Sequence, residues 1–290
     1  MIPKAVLLAF AKHCSLLRPS LTVSILCFLS HPAIGAGWDV TAKAAVLMEM
    51  ETGKILWEKN KQAPRPPAST AKILTALVTG DRVPLKEVVT VSTTATTNRS
   101  SAVALKGGER LTVQNLVYAL LLQSNNDAAL ALASHIGGST PNFVQIMNQK
   151  ARSLGALHSK FFNPTGMPHR GQVTTASDLA LITKVALANP VVRRIVATKS
   201  YPWKSSTWEG TMDNSNQLLK SYTGAIGVKT GRTREAGHCL VAAAQREDKT
   251  LIAVVLGSQE KQVWQDAKTL LDRGFKTVDA APRGKPLSSR

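Results

Sequence analysis

Segments that resemble β-strands stand at the two ends of this 290-residue chain, and segments that resemble helices lie between them. Near the start, residues 44–50 and 54–59 flank the turn Glu51-Thr52-Gly53, which predicts a β-hairpin. Near the end there are three strand-like segments, at residues 224–233, 237–245 and 250–256. An amphipathic helix is predicted after them, at residues 262–275. Strands from both ends can join one antiparallel sheet on which the middle of the chain packs. We therefore predict an α+β architecture in one domain of about 240 residues.

The middle of the chain has apolar residues at helical spacing in several segments. The predicted helices are residues 69–80, 113–122, 128–136, 143–154 and 175–188. Thr112 is the predicted N-cap of the second helix, and Asn189-Pro190 is expected to end the last one. Residues 197–223 are polar and predict a mixture of hairpin and loop.

The first 36 residues have the features of a signal peptide. Their start is basic and has no acidic residue, with Lys4, Lys12 and Arg18. Residues 21–29 form an apolar core that is short for a membrane span, and residues 33–36 supply small residues for cleavage after about Gly35 or Ala36. We predict export to the periplasm or another extracytoplasmic compartment, with an uncleaved anchor as the alternative.

The predicted catalytic domain is residues 37–277, followed by a polar tail, residues 278–290, that we expect to be disordered. The end of this tail, residues 281–286, has no amphipathic period, so we expect no C-terminal membrane anchor. With 44% apolar residues, the chain can build a sizeable core.

The chain is strongly basic, with a formal net charge of +18. Nucleic acid is the usual partner of such a charge, but the chain has no stacked aromatic and basic module of the kind that binds single strands. An exported basic protein first meets polyanionic envelope material, so we expect no nucleic-acid partner. After cleavage only Cys239 remains, and no histidines stand at metal-ligand spacing, so we expect no disulfide, metal or cofactor.

The segment from Pro66 to Leu77 brings a serine and a lysine together at the start of a helix. Ser69 and Lys72 are three residues apart, so they lie on one helix face. A serine needs a base to become a nucleophile, and a buried lysine with a lowered pKa can be that base. The same spacing also recurs by chance at Ser258 and Lys261, where we predict that Ser258 only caps the last helix.

Two further short patterns follow in the chain. Ser124-Asn125-Asn126 lies in a polar segment between two apolar helices, and Lys229-Thr230-Gly231 lies on a predicted strand. Taken alone, Ser124 or Asn126 could simply cap the next helix, and Lys229 could be a solvated lysine at a sheet edge.

The patterns S-x-x-K, S-x-N and K-T-G, in this order, match the motifs of penicillin-recognising serine enzymes. Over about residues 40–275 the chain most resembles the D-alanyl-D-alanine carboxypeptidases of peptidase family S11, which are low-molecular-mass penicillin-binding proteins. Residues 214–219 and 231–240 also resemble that family. The resemblance implies the fold of serine β-lactamases and penicillin-binding transpeptidases, with an antiparallel sheet flanked by helices and a helical subdomain.

The resemblance implies an acyl-enzyme mechanism on peptidoglycan stem peptides. Ser69 would attack the carbonyl between two D-alanines, Lys72 would take its proton, and Ser124 would relay that proton to the leaving amine. The backbone N–H groups of Ser69 and Arg232 would stabilise the oxyanion. β-Lactams would acylate Ser69 in the same way.

The resemblance also implies the substrate-binding residues. Asn126 would hydrogen-bond the peptide group of the substrate and orient Lys72. Lys229 and Thr230 would hold the terminal carboxylate, and the charge of Lys229 would help to keep Lys72 neutral. Gly231 would let the substrate lie against the strand edge. The loop Asn163-Pro164-Thr165-Gly166, which also resembles the family, is expected to have a structural role.

Related activities remain open from the sequence. Class A β-lactamases add a glutamate between the second and third motifs, and the only glutamate there is Glu209, far from the expected place. We therefore expect β-lactams to trap Ser69 as a long-lived acyl-enzyme. A DD-endopeptidase that cleaves cross-links, and a non-catalytic penicillin-binding wall sensor, are the two alternatives to the carboxypeptidase.

Overall fold

The computed structural model describes residues 38–96 and 103–280. The predicted signal peptide, residues 1–36, and residues 281–290 of the predicted tail lie outside these ranges. The described strands are β1 Ala44–Glu49, β2 Ile55–Lys59, β3 Val88–Thr90, β4 Arg110–Thr112, β5 Ser200–Lys204, β6 Glu209–Asp213, β7 Ala225–Thr233, β8 Gly237–Arg246 and β9 Lys249–Ser258. The described α-helices are α1 Lys72–Arg82, α2 Val113–Leu122, α3 Asn126–Gly137, α4 Thr140–Ser153, α5 Ala176–Ala188, α6 Pro190–Ala197, α7 Leu218–Ser221 and α8 Gln262–Asp279.

Strands from both ends of the chain form one antiparallel sheet, as the sequence predicted. Its order is β2-β1-β9-β8-β7, and β1 pairs with β9 from Ala44 opposite Leu256 to Glu49 opposite Leu251. The expected β-hairpin is β1 with β2. Strand β7, which carries the Lys229-Thr230-Gly231 pattern, is at an edge of the sheet.

Both faces of the sheet are covered, which explains why every residue of β1 is buried. Val46 and Met48 face a cluster that includes side chains of α1, α2, α3 and α5, whereas Ala45 and Leu47 face α8. Each large apolar side chain removed from water in this way contributes about 1.5–3 kcal/mol. The molecule is therefore layered, with α8 on one face of the sheet and the helical middle of the chain on the other.

The helical middle agrees with the sequence except at one junction. Thr112 caps α2 as predicted, because its hydroxyl accepts a hydrogen bond from the N–H of Asn115. Asn189-Pro190 ends α5, but a further helix, α6, begins at once. The Asn189 side chain accepts hydrogen bonds from the N–H groups of Val191 and Val192, and Pro190 occupies the first helical position, where its missing N–H is not needed.

The prediction that Ser258 caps the last helix is wrong. Ser258 is the last residue of β9, and its hydroxyl donates to the Asp266 carboxylate at 2.7 Å. Lys261 occupies the N-cap position of α8 and makes no side-chain cap bond there. Pairing in the sheet makes Ser258 part of β9, so it lies outside the helix. At its other end α8 continues to Asp279, so the first residues of the predicted tail are helical.

No helix within residues 38–96 and 103–280 is both long and apolar enough to cross a bilayer.

Asp266 connects α8 to the segment that leads into β1. Its buried carboxylate accepts hydrogen bonds from the N–H of Thr41 at 2.8 Å, the N–H of Ala42 at 3.1 Å and the hydroxyl of Ser258. The hydroxyl of Thr41 donates to the same carboxylate at 3.0 Å. Two backbone donors at the start of the domain thus depend on one side chain near its end.

Replacing Asp266 by Ala is expected to lower the free energy of unfolding by about 2–4 kcal/mol, because it leaves the buried Ala42 N–H and Ser258 hydroxyl, and the partly buried donors of Thr41, without this acceptor. Urea denaturation followed by circular dichroism measures the change. Asp279→Ala, at the exposed end of the same helix, is the matched control and should change the stability by less than about 0.5 kcal/mol. Equal losses in the two variants would contradict this role of Asp266.

Candidate active site

Ser69 lies in a 3-10 turn, Ala68–Ala71, directly before α1. The predicted loop-to-helix transition is present, with this turn between the two. Ala68 has a φ of 48°, a left-handed conformation that costs a non-glycine residue about 1–3 kcal/mol. Because Ala68 is fully buried, the surrounding packing must hold this strained conformation.

Two glycines, each in a different neighbouring segment, allow close backbone approach to this turn. A Cβ atom at Gly231 would lie 2.9 Å from the backbone N of Ser69 and 3.1 Å from the Cβ of Ala68. A Cβ atom at Gly166, which has a φ of 80°, would collide with the carbonyl group of Ala68. Strand β7 and the loop that contains Gly166 can approach the nucleophile only because these side chains are missing. At Gly231 the space that was expected to serve the substrate is occupied in part by the Ser69 turn.

Lys72 begins α1, and its side chain is fully buried. Its Nζ lies 3.2 Å from Ser69 Oγ, 2.7 Å from Asn126 Oδ1 and 2.6 Å from the carbonyl oxygen of Thr165. Burial lowers the pKa of Lys72 well below its ordinary value, and the nearby positive charge of Lys229 lowers that pKa further.

These contacts suit a neutral amine. A neutral Nζ has two N–H donors and one lone pair. The Asn126 and Thr165 oxygens can only accept, so they take the two donors. The lone pair is then left for the hydroxyl of Ser69, which can donate its proton to it. The arrangement can therefore remove a proton from Ser69 without rearranging.

Lys229 is also buried, so the alternative of a solvated lysine at the sheet edge is wrong. Burial lowers the pKa of Lys229 to about 7, and its Nζ donates to the carbonyl oxygen of Thr230 at 3.0 Å. Near neutral pH Lys229 is therefore close to its protonation midpoint, and an incoming carboxylate would favour its charged form.

In the polar segment between α2 and α3, consecutive residues have different roles. Asn125 is the N-cap of α3, because its side chain accepts from the N–H of Ala128 at 2.8 Å. This excludes Ser124 and Asn126 as the capping residues. Asn126 reaches Lys72 instead, and Ser124 has a left-handed φ of 58°. Ser124 is thus a second non-glycine residue at the candidate site with a left-handed conformation.

An open cleft of about 260 Å³ brings the polar side chains together at the surface. Its lining includes Ser69, Ser124, Ser215, Thr230, Gly231 and Arg232. Lys72, Asn126 and Lys229 are buried residues, so the cleft presents the hydroxyl groups while the two amines lie beneath the surface. All eight residues that the sequence singled out thus belong either to the cleft or to the buried contacts around Lys72 and Lys229.

Two contributors to the site were missed by the sequence analysis. The hydroxyl of Ser215 lies 3.0 Å from that of Thr230 in the cleft, although residues 214–219 were noted only for their resemblance. The loop expected to be purely structural supplies the Thr165 carbonyl to Lys72. In that loop Asn163 Oδ1 accepts from the Thr165 hydroxyl and the Gly166 N–H, both at 2.8 Å. The signal in the sequence that pointed to Ser215 and to Thr165 was that the residues around each of them resemble the family.

Within the described residues, no group of three or more His, Cys, Asp or Glu side chains could hold a metal ion.

Comparisons with known proteins agree with this geometry. The family model of the D-alanyl-D-alanine carboxypeptidases, peptidase S11, matches residues 30–260. The chain is 35% identical to the D-alanyl-D-alanine carboxypeptidase DacB2 of Mycobacterium tuberculosis, over 82% of this chain and 83% of that protein. It is also 35% identical to DacF of Bacillus subtilis, over 83% of this chain, and it spans 64% of the length of DacF.

A solved structure supports the same assignment. The crystal structure of an evolved putative penicillin-binding protein homolog from Mycobacterium tuberculosis superposes with a TM-score of 0.79 at 34% identity. The match covers 87% of this chain and 95% of the other. From the family match, the identities over most of the chain and the shared antiparallel sheet flanked by helices, we conclude that this chain belongs to peptidase family S11, the serine-type D-alanyl-D-alanine carboxypeptidases.

Proposed function

We propose that this protein removes the terminal D-alanine from peptidoglycan stem peptides that end in D-Ala-D-Ala, through an acyl-enzyme on Ser69. The observation that carries the proposal is the buried amine of Lys72, held by two carbonyl oxygens and 3.2 Å from Ser69 Oγ. We also infer that residues 1–36 direct export, so that the enzyme meets its substrate outside the cytoplasm.

In the acylation step, Ser69 Oγ attacks the carbonyl carbon between the two D-alanines while the neutral Lys72 takes the hydroxyl proton. The carbonyl oxygen becomes an oxyanion between the N–H groups of Ser69 and Arg232. Among the backbone hydrogen bonds of the described ranges, none uses the N–H of Ser69, so this donor is available. The close approach of β7 to the turn at Gly231 supports the N–H of the next residue, Arg232, as the second donor.

The tetrahedral intermediate then collapses. The bond to the leaving D-alanine breaks, and its nitrogen receives the proton from Lys72 through the hydroxyl of Ser124. Water later attacks the ester carbonyl and gives its proton to Lys72, which passes it to Ser69 Oγ as the ester bond breaks. This releases the shortened peptide and restores the Ser69 hydroxyl, so each turnover consumes one water and releases one D-alanine.

The terminal carboxylate binds between Lys229 and Thr230. The cation of Lys229 lies beneath the cleft, and the Thr230 hydroxyl is oriented by Ser215. The peptide backbone lies along the free edge of β7 and forms main-chain hydrogen bonds there, while Asn126 bonds the peptide group of the substrate.

β-Lactams acylate Ser69 by the same attack, and the ester persists. The one glutamate between the second and third motifs, Glu209, is in β6, where its exposed side chain pairs with Lys204 at 2.9 Å. It is therefore not a base for the deacylating water, and efficient β-lactam hydrolysis is not expected.

The central experiment uses the mature chain, from about residue 37, with purified pentapeptide monomers and cross-linked dimers, and identifies the products by mass. We expect one D-alanine to be lost from monomers, because Ser69 attacks the last peptide bond. Ser69→Ala and Lys72→Ala should reduce this release by at least about a thousandfold. The matched control is Lys261→Ala, in the chance repeat of the same spacing, which should retain full activity.

Each other product pattern has a distinct meaning. Dimers converted to monomers with little D-alanine release would establish the endopeptidase instead. Neither product, with labelled penicillin still bound to Ser69, would overturn the enzymatic proposal for these substrates and favour the wall sensor.

The pH dependence of acylation tests the pairing of the two lysines. The rate should fall as the pH drops through the pKa of Lys72, because only the neutral amine accepts a proton. Lys229→Gln removes the positive charge that lowers this pKa, so the acid limb should move to higher pH. Acylation by fluorescent penicillin, measured from about pH 5 to about pH 10, gives the profile. The exposed Lys220→Gln is the control, and an acid limb unmoved by Lys229→Gln would exclude this coupling.

Asn163 is expected to act as a positioning residue through the Thr165 carbonyl. Asn163→Ala frees the loop, so acylation should slow by about ten- to a hundredfold and its acid limb should shift, because Lys72 loses a fixed acceptor. The exposed Asn142→Ala should change neither quantity. A variant that loses thermal stability but keeps the wild-type rate and pH profile would show that Asn163 is only structural.

A further inference from the structure

A second cleft, of about 410 Å³, lies beside the nucleophile, and we call it the upstream cleft. Pro66 and Pro67, which lead into the Ser69 turn, form one wall with Gly166. Thr233 and Glu235, at the end of β7 and just beyond it, belong to the same lining. Its volume is in the range of about 300–1,000 Å³ that small-molecule sites usually have.

The direction of β7 shows which part of a substrate would reach this cleft. The substrate carboxylate is proposed to bind at Lys229 and Thr230. A peptide that pairs antiparallel with β7 therefore runs back from this point past Arg232 toward Thr233. The residue immediately before the two D-alanines then arrives at the upstream cleft.

The wall of the cleft opposite β7 is a firmly held loop. Gln172 is buried, and its side-chain oxygen accepts from the N–H of Phe162 at 2.9 Å while its amide donates to the carbonyl of Met167 at 2.8 Å. His169 stacks on Phe162 with ring centroids 4.2 Å apart. Because Gln172 uses both ends internally, it shapes the cleft, and other groups must recognise the ligand.

The charged groups of the cleft are a carboxylate and a guanidinium. Arg170 and Glu235 both line the cleft and are both exposed. Within residues 38–96 and 103–280 neither forms an ion pair, with the other or with a third residue. The prolines and Val173 supply apolar surface for methylene groups. A flexible side chain that ends in both an amine and a carboxylate complements this lining.

We propose that the upstream cleft binds the side chain of the residue before D-Ala-D-Ala, and that Glu235 and Arg170 select a zwitterionic end with a free amine. This inference rests on the proposed function and names its substrate class. An amine acylated in a cross-link has lost its charge, so the cleft disfavours a stem peptide whose own side-chain amine carries a cross-link.

The test uses three synthetic pentapeptides that end in D-Ala-D-Ala and differ only in that side chain. One ends in an amine and a carboxylate, one in an amine alone, and one in the same zwitterion with its amine acetylated. We expect kcat/KM for D-alanine release to be about three- to tenfold higher for the zwitterion than for either other peptide, because the charges are exposed and partly screened. The preference should shrink as salt is added.

The variants separate the two charges. Glu235→Gln should abolish the preference for the free amine over the acetylated one, and Arg170→Gln should abolish the preference for the carboxylate. Glu260→Gln, an exposed glutamate outside the cleft, should keep the wild-type pattern.

The two proposals fail differently. Equal kcat/KM for all three peptides in the wild type, or preferences that survive both variants, would overturn the upstream cleft and leave the proposed function intact. No D-alanine release from any peptide would overturn the proposed function and this inference with it.

Discussion

The arrangement of the site depends on one buried amine that must stay uncharged. Burial removes the Lys72 amine from water, which disfavours its charged form, and the neighbouring charge of Lys229 makes protonation of this amine still less favourable. Its two fixed acceptors come from different parts of the chain, Asn126 at the start of α3 and the Thr165 carbonyl in a loop. The sheet, the helical layer and that loop must all be in place before the lone pair faces Ser69. The geometry around Lys72 is thus a property of the whole domain and not of the local motif.

The fold maintains this arrangement against local backbone preferences. Ala68 and Ser124 both have left-handed conformations that non-glycine residues avoid, and both lie at the candidate site. Gly166 and Gly231 have no side chain, so the backbone on either side of the Ser69 turn can approach it closely and hold its strained conformation. Two of the four left-handed non-glycine residues in the described ranges thus lie at the candidate site, and the well-packed layers around them supply the free energy that maintains their conformations.

The sequence predicted the sheet from both ends of the chain and most of the helices, and the eight residues that it singled out lie together, because side-chain identity and spacing carry that information. It did not predict the Thr165 carbonyl, since a backbone acceptor looks the same in every residue. It also missed α6, because Asn189-Pro190 can end one helix and begin the next. Ser258 was misassigned because strand pairing and Asp266, distant in sequence, outweigh its local preference for a cap. The errors occur where tertiary contacts decide between two locally acceptable conformations.

The pairing of β1 with β9 has a consequence for the order of folding. Ala44 lies opposite Leu256, so the centre of the sheet joins segments from opposite ends of the chain. Such long-range pairing is slow, and it cannot begin before almost the whole domain has emerged from the ribosome or crossed a membrane. Strand β7 reaches the Ser69 turn only as part of that sheet. A partly emerged chain therefore contains the serine and the lysine without the β7 backbone beside them, and the proposed oxyanion site forms only when the domain is complete.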